Sequence, residues 1–287
     1  MNPCLHLDLD GAWPLDALSI PTLHLRELGP RLRFITNERE MRAFEAALSA
    51  QSAQFFLYGS GDFHHLAAAL IRRSAATTPG PITVVSFDNH PDWDIRPPRW
   101  ACGAWVNRAL EIPKVECVNV WGCGNFELAW PHDIFRNRWA IRGGQLRIFP
   151  WAERQTPSTA RRFPSMKRDN WHDHFQQFAA DLAGKNIYVT IDMDCLRKEE
   201  AITDWETGLF TADDVAWALT TLRQSAIVVA GDICGATSPQ KYARAFQRFA
   251  GWWDHPKLLV VVPEDAQSVN LASLKIVWPA LAARGSS

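Results

Sequence analysis

Seven short, uninterrupted apolar runs fix what this chain can fold into: QFFLYG (54–59), ITVVSFD (82–88), VECVNVWG (115–122), LRIFP (146–150), NIYVTIDMD (186–194), AIVVAGDIC (226–234) and KLLVVVPED (257–265). None alternates apolar with polar residues, which is the pattern of strands covered on both faces. Between them lie stretches of helical character: HHLAAALIRRSA (64–75), WVNRALEI (105–112), NWHDHFQQFAADLAG (170–184), TADDVAWALTTLRQS (211–225) and SPQKYARAFQRFAGWW (238–253). Strand alternating with helix predicts an α/β fold, a parallel sheet wrapped on both sides by helices. Thr211 is placed to N-cap the helix that carries Asp213 and Asp214 in its first turn, and Gly184 to stop the helix before it. With no linker in view, residues 1–287 read as one domain, and the Pro- and Arg-rich stretch 154–168 as a surface excursion or flap within it.

In an open parallel sheet, ligands bind beyond the carboxyl ends of the strands, so polar residues that close an apolar run count separately. Three ends stand out: GSGDFHH (59–65), DNHPDWD (88–94) and DMD (192–194). In Asp88-x-His90-x-Asp92 and Asp192-x-Asp194 the i, i+2 spacing puts alternate side chains on one side of an extended segment, so both sets can converge on one cavity. Four carboxylates packed in a dry site cannot all ionise cheaply, because burial and like charge both oppose it. Two divalent cations would cancel those charges, and mixed carboxylate and imidazole ligation suits manganese, zinc or iron.

Other acidic and histidine stretches read as structural. In LHLDLD (5–10) the leucines alternate with His6, Asp8 and Asp10, as on a half-exposed strand. His172 and His174 point to different faces of a helix start, and His6, His24, His132 and His255 lack ligand-like company. Cys195, beside Asp194, reads as core filling.

A net charge of −1, with 30 basic and 31 acidic residues, argues against duplex DNA or an anionic membrane as partner. Six scattered cysteines without C-x-x-C pairs read as reduced thiols, and the amino terminus has neither a basic nor an apolar leader region. The expectation is a cytoplasmic enzyme of small molecules, with no nucleic acid and no membrane partner.

Taken in chain order, the three strand ends and the following TGLFT resemble the arginase and agmatinase family, the ureohydrolases, over roughly residues 54 to 235. SFDNHPD is similar to that family's S-F-D-A-H-x-D, VTIDMDCL to its S-x-D-x-D-x-L-D-P, and ETGLFT to its G-T-x-x-G-G-L-T. The resemblance implies a three-layer α/β/α sandwich with a central, mostly parallel eight-stranded sheet. It implies a dinuclear manganese centre held by His64, Asp88, His90, Asp92, Asp192 and Asp194, with Asp92 and Asp192 bridging and with zinc or iron as alternative metals. At the first motif His65 and Asp62 stand as alternatives to His64. The implied reaction is hydrolysis of a C–N bond by a metal-bridging hydroxide, with Asp92 in the catalytic set and Asp94 or Asp62 holding the proton. The analogy also implies a homo-oligomer.

Departures from the family pattern bear on the substrate. Three residues beyond Asp232, where arginases carry a guanidinium-binding glutamate, stands Gly235, and Trp105 falls near the position of their acid/base histidine. Arg197 and Lys198 replace the D-P of the last motif. Arginine and agmatine are therefore not the expected substrates, and Cys102, Gly103, Ala104, Trp105 and Asp232 are the expected pocket residues, an apolar, aromatic or cationic group facing the tryptophan. Two other readings fit the same residues: an amidohydrolase on the related deacetylase fold with one essential metal, and a metal-binding scaffold without catalysis.

Overall fold

The computed structural model describes residues 3–16, 18–255 and 264–283. Its frame is one sheet of eight strands: β1 (Cys4–Asp8), β2 (Thr22–His24), β3 (Phe55–Tyr58), β4 (Ile82–Phe87), β5 (Val115–Trp121), β6 (Leu146–Phe149), β7 (Asn186–Asp192) and β8 (Ile227–Cys234). They lie in the order β2-β1-β3-β8-β7-β4-β5-β6, and every neighbouring pair is parallel. Six of the seven apolar runs are thus strands, within two residues of the expected bounds. The seventh, 257–265, falls almost wholly outside the described residues. The edge strand β2 is only three residues long, which limits open pairing at that side.

The helices of six or more residues among the described ones are α1 (Glu38–Leu48), α2 (Leu66–Thr77), α3 (Trp105–Leu110), α4 (Trp171–Asp181), α5 (Ala212–Ser225), α6 (Ala245–Asp254) and α7 (Ala266–Ala282). Alternate residues of one strand feed two separate cores. Phe56 and Tyr58 of β3 pack with α1, α2 and α3 residues such as Phe44, Leu70 and Val106. Phe55 and Leu57 face α4, α5 and α7 through Phe175, Leu219 and Leu274. The result is the expected three-layer α/β/α sandwich, with both faces of the sheet dry.

Local chemistry sets the ends. Thr211 Oγ1 accepts from the Asp214 N–H (3.0 Å) while Asp214 Oδ2 accepts from the Thr211 N–H (2.8 Å), a full capping box for α5. Gly184, at φ +72°, turns the chain after α4 as expected.

Two expectations change. The helix expected over 238–253 begins only at Ala245, because the preceding segment is tied down in irregular form: Ser238 Oγ donates to Asp10 Oδ2 (2.5 Å) and the Pro239 carbonyl accepts from Arg33 Nη1 (3.3 Å). The β1 strand is not half-exposed, since all five of its residues are buried and Arg26 Nε covers Asp8 at 2.6 Å. The stretch 154–168 holds one helical turn, Pro157–Ala160, and is fastened by a Trp151–Met166 bridge and an Arg168–Asp214 contact of 2.6 Å.

Candidate metal centre

Four adjacent strands, β3, β8, β7 and β4, end beside one another, and register makes the ends level. Phe87 pairs with Ile191, and Asp192 with Cys234. The polar groups then converge through turns rather than through continued strand. After Phe87 the chain folds back so that the His90 N–H donates to Asp88 Oδ1 (2.7 Å) and the Asn89 N–H to Asp194 Oδ1 (3.1 Å). Asp192 likewise accepts from the Asp194 N–H (3.1 Å) at the start of a single 3-10 turn. Asp and Asn make such side-chain turns readily, so the i, i+2 residues meet without an extended backbone. Asp92 sits at φ +46°, a left-handed conformation that costs a non-glycine residue about 1–3 kcal/mol. Its Oδ2 is held by the Trp105 indole N–H at 2.6 Å.

The protons of the two histidines can be placed from their partners. Thr190 Oγ1 donates to Asp232 Oδ1 (2.8 Å), so it accepts from His64 Nε2 (2.9 Å). His64 Nδ1 thereby faces Asp88 Oδ2 (3.1 Å), Asp92 Oδ2 (3.2 Å) and Asp192 Oδ2 (3.6 Å). His90 repeats the device: Nε2 faces Glu206 Oε2 at 3.2 Å, and Nδ1 faces Asp194 Oδ2 at 2.8 Å and Asp88 Oδ1 at 3.6 Å. A metal-ligating histidine is oriented in this way, its second nitrogen donating to an outer acceptor.

Two buried groups of potential ligand atoms result, His64 with Asp88 and Asp92, and Asp88 with His90 and Asp194, each with its atoms within 4.8 Å of one another. Asp88 belongs to both, so it is Asp88 and not Asp92 that the geometry places between them. A third group joins His64, Asp192 and Cys234. Asp88 Oδ2 is buried and has no aligned hydrogen-bond donor, His64 Nδ1 lying nearby but out of line. A buried carboxylate oxygen without a donor is what a cation would satisfy.

The electrostatics agree. Burial, reinforced by neighbouring carboxylates, pushes Asp92 up to about 7, Asp192 to about 8 and Asp194 to about 6. Burial opposes a charge on His64 and His90, but the carboxylates around them win and raise both well above the ordinary histidine range. Without a cation the cluster is neutralised by retained protons, and a divalent metal would displace them.

The site opens in two steps. An inner chamber of about 40 Å³ is lined by the six candidate ligands with Gly61, Cys102, Gly103, Glu127, Trp205 and Asp254. Through Cys102, Gly103, Glu127 and Asp254 it joins an outer cavity of about 340 Å³.

His64, Asp88, His90, Asp92, Asp192 and Asp194 are brought together. His65 is wholly buried and absent from the chamber lining. Asp62 Oδ1 is taken up by His255 Nε2 (2.9 Å) and the Trp205 indole N–H (3.2 Å), with Arg33 Nη1 3.5 Å from Oδ2, which gives His255 its structural partner and keeps Asp62 out of the chamber lining. Cys102 and Gly103 line the pocket. Trp105 does not, since it is fully buried beneath Asp92. Nor does Asp232, which lies behind His64 and accepts from Tyr58 (3.0 Å), Tyr188 (2.5 Å) and Thr190. Asp94 faces the outer cavity and is bound by Arg96 Nε at 2.8 Å. Glu127, Glu206 and Asp254 were not anticipated. Glu206 stands inside the ETGLFT motif, whereas nothing near Glu127 or Asp254 in the sequence marks them.

Gly235 has a physical reason. It sits at φ +110°, and a Cβ there would run into Asp192 Oδ1 and the Met193 amide. The site cannot carry a glutamate at that position without displacing a candidate ligand.

A sequence model described as the arginase family matches residues 16–243. No curated protein sequence matches the chain. Among solved structures, the arginase of Bacillus caldovelox is similar at a TM-score of 0.58 and 13% identity, covering 99% of each chain. Proclavaminate amidino hydrolase of Streptomyces clavuligerus gives 0.55 at 13% identity, over 98% of this chain and 92% of that one. Formimidoylglutamase of Bacillus subtilis gives 0.56 at 14% identity, over 99% and 87%. At such identity these likenesses show the fold, and the three proteins are named for different activities.

Proposed function

The chain belongs to the arginase family, and from that premise we propose that it is a dinuclear metal-dependent hydrolase of C–N bonds in a small amidine, amide or guanidine-like molecule other than arginine or agmatine. The observation that carries this reading is the sharing of Asp88 between two buried donor groups, each completed by a histidine whose other nitrogen has an outer acceptor. His64, Asp88 and Asp92 would hold one cation and Asp88, His90 and Asp194 the other, and Asp192, whose Oδ2 lies 3.6 Å from His64 Nδ1, would add a further carboxylate. Imidazole and carboxylate together suit manganese, with zinc or iron as alternatives. Such cations supply Lewis acidity and a nucleophile from water at neutral pH.

The remaining tasks fall to the chain. Trp105 fixes the Asp92 carboxylate, Thr190 and Asp232 fix His64, and Glu206 fixes His90. Asp94 is engaged by Arg96 outside the chamber, so the proton-holding task passes to Glu127 at the rim. Burial raises that carboxyl to about 7, where it can accept and return a proton near neutrality. With Gly235 in place of a carboxylate, that position offers no side chain to grip a guanidinium.

The test is elemental analysis of protein expressed with manganese, followed by a screen of amidines, guanidines and amides for released amine. About two metals per chain and turnover of a compact amidine are expected. One metal per chain, or full loading with no turnover across the screen, would overturn the reading.

A further inference from the structure

The outer cavity has a composition unlike that of the metal chamber. One wall is α6, where Phe246, Phe249, Ala250 and Trp253 recur at i, i+3, i+4 and i+7 and so form one stripe. The facing wall includes Phe34, Pro97 and Pro98. This stripe is not what holds the helix in place. Gln247, about a quarter-turn away, donates from Nε2 to the carbonyls of Arg31 (3.2 Å), Arg33 (3.0 Å) and Ile35 (2.8 Å), and Arg244 Nη2 donates to Arg31 (2.8 Å). A polar clamp thus anchors α6 and leaves Phe246, Phe249 and Trp253 at 64%, 60% and 76% exposure. Aromatic residues left this bare, around a cavity continuous with a reactive centre, mark a ligand surface.

Charge narrows the occupant. The ionisable residues of the cavity are Asp94, Arg96, Glu127 and Asp254. Arg96 is spent on Asp94 and lies over the Phe135 ring at 4.0 Å. Among the described residues, no cation in the lining is left for a substrate carboxylate, while Glu127 and Asp254 stand at the neck. We propose that the outer cavity receives an apolar, ring-bearing or branched-alkyl group on the substrate nitrogen, so that the substrates are hydrophobic N-substituted amidines or guanidines without a carboxylate. This rests on the C–N hydrolase reading and specifies its substrate class.

Calorimetric binding of N-benzylguanidine, agmatine and guanidinoacetate to the manganese-loaded protein tests it. Burying a phenyl ring predicts that N-benzylguanidine binds at least about tenfold more tightly than agmatine. Guanidinoacetate should bind weakest. Phe249→Ser and Trp253→Ser should bring N-benzylguanidine and agmatine to near parity at unchanged metal content. Equal affinities in the wild type, or a preference untouched by both substitutions, would overturn the proposal. So would a change in molar mass by light scattering without a change in preference, which would assign the stripe to a second copy of the chain. Metal content and turnover of formamidine, read on the same samples, test the parent reading separately. Two metals with turnover but no ring preference sinks this inference alone. Protein that neither holds metal nor turns over formamidine sinks the parent reading, and the substrate class with it, whatever ligand preference the cavity shows.

Discussion

Chelating the metal and raising the pH from about 5 to about 8 should destabilise the protein by roughly 4 kcal/mol or more, and restoring manganese should abolish the loss. The sign follows from the buried carboxylates. Asp92, Asp192 and Asp194 keep their protons in the folded chain up to about 7, 8 and 6, whereas in the unfolded chain they ionise near 3.8. Between those values the folded state binds more protons, so stability falls as pH rises. His64 and His90, also raised, act in the same direction above their ordinary value of 6.5. Asp88 is held low by His64 and His90 despite its burial, and its opposite effect lies below this window. Asp192 alone ionises about three pH units after pH 5, which at about 1.4 kcal/mol per unit sets the scale of about 4 kcal/mol. The carboxylates share protons and titrate as a unit, so their separate losses do not simply add. For a chain of this size that is a drop of roughly 5–10 °C in Tm, readable by circular dichroism at stepped pH with chelator and then with manganese. A metal-free Tm that is flat or rises over this window would refute the close-packed acidic cluster.

Three substitutions probe the site further. Asp88→Asn removes the carboxylate common to both donor groups and should lower metal content from about two per chain to below one by elemental analysis, with the helical spectrum retained. Thr190→Val deletes the hydroxyl between His64 and Asp232, and a loss of roughly 10–100-fold in manganese affinity is expected from calorimetry; unchanged affinity would mean that this chain does not orient His64. Gly235→Glu, which installs the arginase-type residue, should give no arginine hydrolysis and a lower Tm, since even its Cβ collides with Asp192; ornithine release by this variant would show that the loop can open.

The strands were legible because each is a continuous apolar run, and in a sheet covered on both faces that pattern needs no knowledge of its neighbours. Helix boundaries were legible where a local device sets them, as at Thr211 and Gly184. The start of α6 was not, because it depends on Arg33 and Asp10, more than 200 positions away in sequence. The convergence of the D-x-H-x-D and D-x-D side chains was legible for the same local reason, although the extended geometry assumed for them gave way to side-chain turns.

Residue type and spacing along single strands therefore determined the parallel α/β frame and five of the residues that meet at its carboxyl edge, whereas the choice of His64 over His65 and Asp62 came with the tertiary structure. Strand order decided the rest. It brought β4 beside β7 and β7 beside β8, which put Asp88 between two histidines, sent Trp105 beneath Asp92 and Asp232 behind His64, and set Glu127 and the α6 aromatics around the mouth. Those placements depend on pairings between residues far apart in the chain, and a local pattern carries no record of which distant partner it will meet.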